Sequence, residues 1–182
     1  MRIIIFGGNS DIAKAISKKI DVELETLDIT RYGSVSNSIS SYKPDVIINC
    51  AGVIKPATIN AGNVFDFNEE INVNLTGLYY ICKSATISNV KKVINIASSA
   101  GLKGRAGWAG YCASKAGAIS IIESLKEEGT EAYSVILHRT ATKMRKRLFP
   151  NEDQSKLLTP EFVADKIIEL IKNGSDKTNI EI

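Results

Sequence analysis

Tyr111-Cys112-Ala113-Ser114-Lys115 sets a phenol and an ammonium at positions i and i+4. On a helix these positions share a face, so both side chains can reach one spot. A phenol near its ordinary pKa of about 10 is a poor base at neutral pH. A neighbouring ammonium stabilises the phenolate and lowers that pKa. Upstream, Ser98 closes the run Ile94-Asn95-Ile96-Ala97 and stands where a strand would end. A hydroxyl there can donate to a substrate oxygen as negative charge develops on it. The chemistry suggested is proton transfer at a carbonyl or alcohol. No metal is expected, because Cys50, Cys82 and Cys112 lack metal-ligand spacing and His138 is the sole histidine.

A second group of residues suits an anion. The run Ile3-Ile4-Ile5-Phe6 ends in Gly7-Gly8 and passes through Asn9-Ser10 into Asp11-Ile12-Ala13. Glycine permits close backbone approach to a pyrophosphate, and a helix N-terminus offers free amides and a favourable dipole. Asp28, with Ile29 and Thr30, ends the next apolar run, about 20 residues further on, where an acid can accept from an adenosine ribose. That reading favours NAD, but Arg31 is close enough to meet a 2′-phosphate, so NAD and NADP both stay open. Asn49-Cys50-Ala51-Gly52 closes a third run, with small residues over which a cofactor can lie.

These residues need a scaffold, and the hydrophobic pattern supplies one. Strands are expected at 2–6, 22–29, 45–49, 92–97 and 132–137, with a short last one at 179–182. Helices are expected at 11–20, 34–42, 67–88, 111–128 and 160–172. Strands alternating with helices imply an α/β fold, a doubly wound parallel sheet of about six strands. The 182 residues suit one domain, 1–182. The basic stretch 143–150 is expected to be mobile.

The chain resembles the short-chain dehydrogenase/reductase family over nearly its whole length. Tyr111 and Lys115 match its Y-x-x-x-K motif. Ser98 stands before Tyr111 at the family's Ser-to-Tyr spacing and three before Gly101, so it is preferred to Ser99. Asn74, in Asn72-Val73-Asn74-Leu75-Thr76-Gly77, matches the N-x-x-G helix position and would hold a water that relays protons to Lys115. Lys115 would also hold the nicotinamide ribose. Gly7 matches one glycine of T-G-x-x-x-G-x-G, while Asp11 and Ala13 replace the other two, so Asp11 must point away or cap the helix. Asn49-Cys50-Ala51-Gly52 resembles N-N-A-G, with Cys50 for the second Asn, a segment that stabilises the sheet and lines the adenine-ribose side. The short gap between Gly7 and Asp28 implies one strand-helix unit fewer than usual, with Asp28 serving one or both of two family positions. The resemblance implies an NAD(P)-dependent oxidoreductase on a Rossmann-type fold. It also implies a homodimer or homotetramer pairing through Leu78, Ile81 and Ala85 and through Ala118, Ile122 and Leu125.

Thr142-Lys143-Met144 matches the family's T-x-M, without the preceding Pro-Gly, and Thr142 would contact the nicotinamide carboxamide. The run Arg139-Thr140-Ala141-Thr142, with Met144-Arg145 and Phe149-Pro150, is similar to a subgroup associated with capsule and cell-surface polysaccharide synthesis. That implies a sugar or polyol phosphate as substrate. Lys103, Arg105 and Arg145 could converge on such an anion. A non-catalytic dinucleotide sensor on the same fold is the alternative, although it need not keep Ser98, Tyr111 and Lys115 together. A net charge of +3 with no recognition motif gives no case for nucleic acid. No apolar stretch is long enough to span a bilayer, and the odd cysteine count points to reduced thiols in a cytoplasm.

Overall fold

The computed structural model describes residues 1–182. In chain order its strands are β1 (Ile3–Phe6), β2 (Glu23–Glu25), β3 (Val46–Asn49), β4 (Lys92–Ser98), β5 (Glu131–Leu137) and β6 (Asn179–Glu181). The helices are α1 (Asp11–Ser17), α2 (Tyr32–Tyr42), α3 (Val64–Ile71), α4 (Gly77–Ile87), α5 (Ala109–Glu127), α6 (Lys143–Leu148) and α7 (Pro160–Asn173). All pairings are parallel, in the order β2-β1-β3-β4-β5-β6. This is the expected Rossmann-like sheet of six strands, with a single strand between α1 and β3.

Apolar runs rather than alternating patterns form these strands because both faces of the sheet are covered. Ile3 and Ile5 face α1 and α7, packing with Ile16, Val163 and Ile167. Ile4 and Phe6 face the other way, against Val35, Leu78, Ala118 and Ile122. The chain steps from β1 to β2 on one side, then returns to place β3 on the other. Loops at the carboxyl ends of β1 and β3 therefore diverge and leave a crevice between them.

Three elements differ from expectation. The second strand is cut to Glu23–Glu25 because the chain then turns away from the sheet to wall the crevice. The long helix expected at 67–88 starts earlier and is interrupted by a π-turn, Asn72–Thr76. The stretch expected to be mobile holds α6, whose N-cap Thr142 accepts from the Arg145 amide at 3.1 Å. Arg145 also grips Glu152 with two hydrogen bonds of 2.6 and 2.7 Å.

The apolar faces expected to pair subunits are not on the surface. Leu78, Ile81, Ala85, Ala118, Ile122 and Leu125 are all buried in the core of the chain itself. Helical periodicity marks an apolar face but not whether a sheet or another subunit covers it, and here the sheet does.

Candidate active site

A cleft of about 1370 Å³ opens at the carboxyl ends of the strands. Gly7, Asn9, Ser10, Asp11 and Ile12 line one end of it, and Ser98, Tyr111 and Lys115 line the same cavity further along. The sequence separates these two groups by most of a hundred positions, and the sheet brings them together.

At the first turn Gly7 has φ +75°, and a Cβ there would meet the Ala51 backbone nitrogen at 2.5 Å. Only glycine fits both the conformation and the space. Ser10 caps α1, its Oγ accepting from the Ala13 amide at 3.1 Å. The amides of Asp11 and Ile12 have no partner within the chain. Asp11 neither obstructs the turn nor caps its own helix. Its Oδ2 accepts from the amide of Lys143, at the start of α6, at 2.7 Å.

Asp28, Ile29, Ala51 and Gly52 line the next part of the cleft. Asp28 Oδ1 accepts from the Thr30 hydroxyl at 2.7 Å and the Thr30 amide at 2.9 Å. These bonds hold its carboxyl below the usual range, with a smaller contribution from Arg31, whose Nε lies 3.7 Å from Oδ2. Thr30 itself does not line the cleft and serves to orient Asp28. Asn49 divides its expectation, tying the sheet together but not lining the cleft. It is buried under the cleft, its Nδ2 donating to Asn95 Oδ1 at 3.0 Å and its Oδ1 accepting from the Ala51 amide at 3.2 Å. A side chain at the inward-facing end of a central strand is used to tie β3 to β4 and shape the turn.

Tyr111 and Lys115 lie on α5, the longest helix at 19 residues. Both are buried, and Lys115 Nζ sits 5.8 Å from the Tyr111 ring centroid. Nζ donates to the Ile96 carbonyl at 3.0 Å. Burial lowers the Lys115 pKa to about 8, with Cys50 pulling the other way. Burial also raises the Tyr111 pKa, opposed by a hydrogen bond with Ser98 and by the positive Arg105. The expected lowering of Tyr111 by Lys115 is therefore not the net result: low polarity favours the neutral form of each. Ser98 Oγ accepts from the Ala100 amide at 3.1 Å and remains on the cleft wall.

Asn74 is placed by the π-turn, buried behind the cleft wall. Its Oδ1 accepts from the Val53 amide at 2.8 Å, and its Nδ2 donates to the Val53 carbonyl at 2.9 Å and to Ser114 Oγ at 3.0 Å. Both amide protons are thus committed to fixing the Gly52-Val53 loop against α5 and are not free to hold a water. An interrupted helix cannot be seen in apolar periodicity, so only the motif match pointed to this residue.

The far end of the cleft is apolar and roofed by α6. Trp108 stands edge-on to Tyr111, centroids 5.8 Å apart, with Phe149 6.1 Å from Trp108. Met144 and Leu148 line the cavity from α6, and Ile54 from the loop after β3. Trp108 precedes Tyr111 by three positions, so helical spacing could have flagged it. The anion-binding expectation divides. Arg105 lines the cleft, donating to Ser99 Oγ at 3.1 Å, and makes no carboxylate pair. Arg145 lines it too, but its guanidinium is held by Glu152 and lies over the Phe149 ring. Lys103 is exposed and outside the cleft. Thr142 and His138 both border it. Cys50, within the segment expected to lie under the cofactor, is on the wall near Ser10 and Lys115, and desolvation pushes its thiol up to about 12.

Comparison with known proteins agrees with this geometry. The family model described as short chain dehydrogenase matches residues 2–153. An acetoacetyl-CoA reductase of Shinella zoogloeoides is 29% identical over 133 residues, covering 68% of this chain and 55% of the relative. A human (3R)-3-hydroxyacyl-CoA dehydrogenase is 30% identical over 143 residues, covering 74% of this chain and 51% of the relative. The chain thus spans about half the length of the curated relatives it matches. Among solved structures, the closed form of serine dehydrogenase complexed with NADP⁺ superposes with a TM-score of 0.85 at 17% identity, covering 100% of this chain and 94% of that one. That likeness concerns the fold, while the matched segment contains the first turn, Ser98, Tyr111 and Lys115. This chain belongs to the short-chain dehydrogenase family.

Proposed function

We propose that the chain is an NAD(P)-dependent oxidoreductase that acts on a carbonyl or alcohol of a phosphate-bearing substrate. The observation that carries this reading is a single cleft joining the Gly7 turn to Ser98, Tyr111 and Lys115. A nicotinamide dinucleotide fits the residues present: the turn admits close approach, two amides are free, and the cavity is long enough to extend to Tyr111. When bound, it supplies or accepts the hydride.

The side chains supply the rest. Tyr111, kept protonated at neutral pH by burial, donates its phenolic proton to the carbonyl oxygen during reduction and takes it back during oxidation. Ser98 donates a hydrogen bond to the same oxygen. Lys115, on the same face as Tyr111, holds the nicotinamide ribose and offsets the phenolate charge. Asn74 holds the loop against which this pair rests. Asp28 accepts from the adenosine ribose, and Thr142 contacts the carboxamide end. Trp108, Met144 and Leu148 exclude water from the reacting carbon.

The substrate class rests on Arg105, a cleft cation without a carboxylate partner. Arg145 has Glu152 and is not free to serve an anion in the same way. The resemblance of the 139–150 segment favours a sugar or polyol phosphate. The curated relatives named above act on acyl-CoA thioesters, which carry phosphates as well. The test is turnover of NADPH and NADH with acetoacetyl-CoA and with a panel of ketose phosphates, in wild type and Arg105→Glu. We expect the charge reversal to raise KM about tenfold and to weaken its salt dependence, with little change in cofactor affinity. Equal KM in both proteins removes the phosphate. Absence of any nicotinamide oxidation with any substrate favours the binding-only alternative. We place the protein in the cytoplasm, as a homodimer or homotetramer. Its contact would use the exposed Val64, Phe65, Phe67 and Tyr79 rather than the buried Leu78 and Ala118 faces.

A further inference from the structure

Helix α6 roofs the substrate end of the cleft, yet it has little to hold it there. It is six residues long and contains no buried residue. A helix of that length has no stability of its own in water. Met144 and Leu148 are half-buried against the cluster around Ile54 and Tyr111, and the remaining ties are few. The Arg145 fork to Glu152 and the Trp108–Phe149 contact secure its far end. At its near end, the strand-like segment before it bonds to residue 158, through Ala141 N to Leu158 O and Leu158 N to Arg139 O. The other tie at that end comes from across the cleft. Asp11 Oδ2 accepts from the Lys143 amide at 2.7 Å, a contact between residues 132 positions apart.

We infer that Asp11 is a positioning residue that holds the roof helix α6, and Thr142 before it, over the cleft through the Lys143 amide. The consequence for catalysis rests on the cleft being the dinucleotide site. Two features make this contact more than a surface hydrogen bond. The acceptor is a carboxylate oxygen receiving a backbone N–H, a pairing of the charge-assisted kind. It also spans the mouth: Asp11 lines the cleft at the Gly7 turn, and Lys143 lines it at the roof. An acid beside a pyrophosphate subsite repels the ligand. Its placement here is explained if the chain gains a fixed roof in exchange. Thr142 is extended, with ψ 160°, and its hydroxyl caps α6, so movement of Lys143 carries Thr142 with it.

Lys143, Lys146 and Arg147 are exposed tryptic sites on this helix, and the protein's sole tryptophan, Trp108, reports on its far end. The experiment compares wild type, Asp11→Ala and Asp11→Asn without ligand. It measures tryptic cleavage within 143–147 by mass spectrometry and acrylamide quenching of Trp108. Asp11→Asn keeps an acceptor oxygen and should cleave within about threefold of wild type. Asp11→Ala should cleave about tenfold faster, as loss of a bond of this kind implies, with greater quenching. Lys143→Pro removes the same donor from the other side. Proline is tolerated at the first position of a helix, and the extended Thr142 suits the residue before it. At the sites it keeps, Lys146 and Arg147, it should therefore match Asp11→Ala, and the double variant should be no worse there than either. Lys143→Ala controls for loss of the side chain. Cleavage of Asp11→Ala at the wild-type rate, or of Asp11→Asn at the rate of Asp11→Ala, overturns the inference. If Asp11→Ala fails to fold, Lys143→Pro against Lys143→Ala decides alone. A separate NADP⁺ and NAD⁺ titration of wild-type Trp108 fluorescence tests the dinucleotide reading, and its failure would leave the proteolysis result standing.

Discussion

Helices α5 and α6 face each other across the cleft and are built in opposite ways. Helix α5 has 19 residues, nine of them buried, and its cleft residues Tyr111 and Lys115 are fixed by the sheet beneath. Helix α6 has six residues, none buried, and is held by the half-buried Met144 and Leu148 and by polar ties to Asp11 and Glu152. A group that must meet a reacting atom within a fraction of an ångström belongs on an element the core cannot release. A wall that must admit substrate is better held by a few hydrogen bonds that break at modest cost.

The sharpest way to sharpen this contrast is to change chemistry on α5 without changing its packing. Tyr111→Phe should lower kcat by about a thousandfold or more while dinucleotide binding stays nearly intact. Turnover within tenfold of wild type would remove Tyr111 from the proposed mechanism.

The next test moves the helix itself. A Cβ at Gly101 would lie 2.8 Å from the Lys115 carbonyl carbon and oxygen, both backbone atoms. Gly101→Ala should push α5 outward, cost about 1–3 kcal/mol of stability and reduce kcat by roughly a hundredfold. Gly104, in the same loop, has nothing within 4 Å of its notional Cβ, so Gly104→Ala should leave kcat within about twofold. Denaturant melts and steady-state rates on the pair check both. Equal behaviour would mean that α5 is not rigidly seated.

The smallest expected effect is on stability. Lys115 is buried with a pKa lowered from 10.5 to about 8. Folding therefore opposes its protonation, and the cost is fully present below pH 8 and gone above the unfolded value. Lys115→Met should raise Tm at pH 7 by about 2–4 °C and much less at pH 10.5, while abolishing turnover. In wild type the rate of carbonyl reduction should fall as pH rises through about 8, as the ammonium is lost. A Tm difference independent of pH would show that the cost lies in packing and not in charge.

How much of this could be read from the chain depended on the distance over which each feature is encoded. Tyr111 and Lys115 share a turn, and the apolar runs at 3–6 and 46–49 mark buried strands from a few residues each. The missing strand-helix unit was legible as a short interval before Asp28. The ties that shape the site were not. Asp11 meets an amide 132 positions away, and Arg145 looks from sequence like a substrate contact because its partner Glu152 belongs to a loop with no motif. The subunit interface that the resemblance implies at Leu78 and Ala118 is not met, because one apolar stripe looks alike whatever covers it, and here the sheet does. The π-turn that seats Asn74 leaves no periodic trace at all.

The uniformly parallel sheet has a kinetic consequence. With no hairpin anywhere in the ladder, each strand pair forms only after an intervening crossover has closed into a loop. Loop closure must precede the contacts that reward it, so such topologies fold slowly for their size. The β4–β5 pairing, seven residues long and bridged by α5, has the longest ladder and a stable crossover helix. It is the natural nucleus for the remaining strands to join. Core truncations there, at Val93 or Val135, should slow folding itself, whereas truncations at the three-residue β2 edge should mainly hasten unfolding.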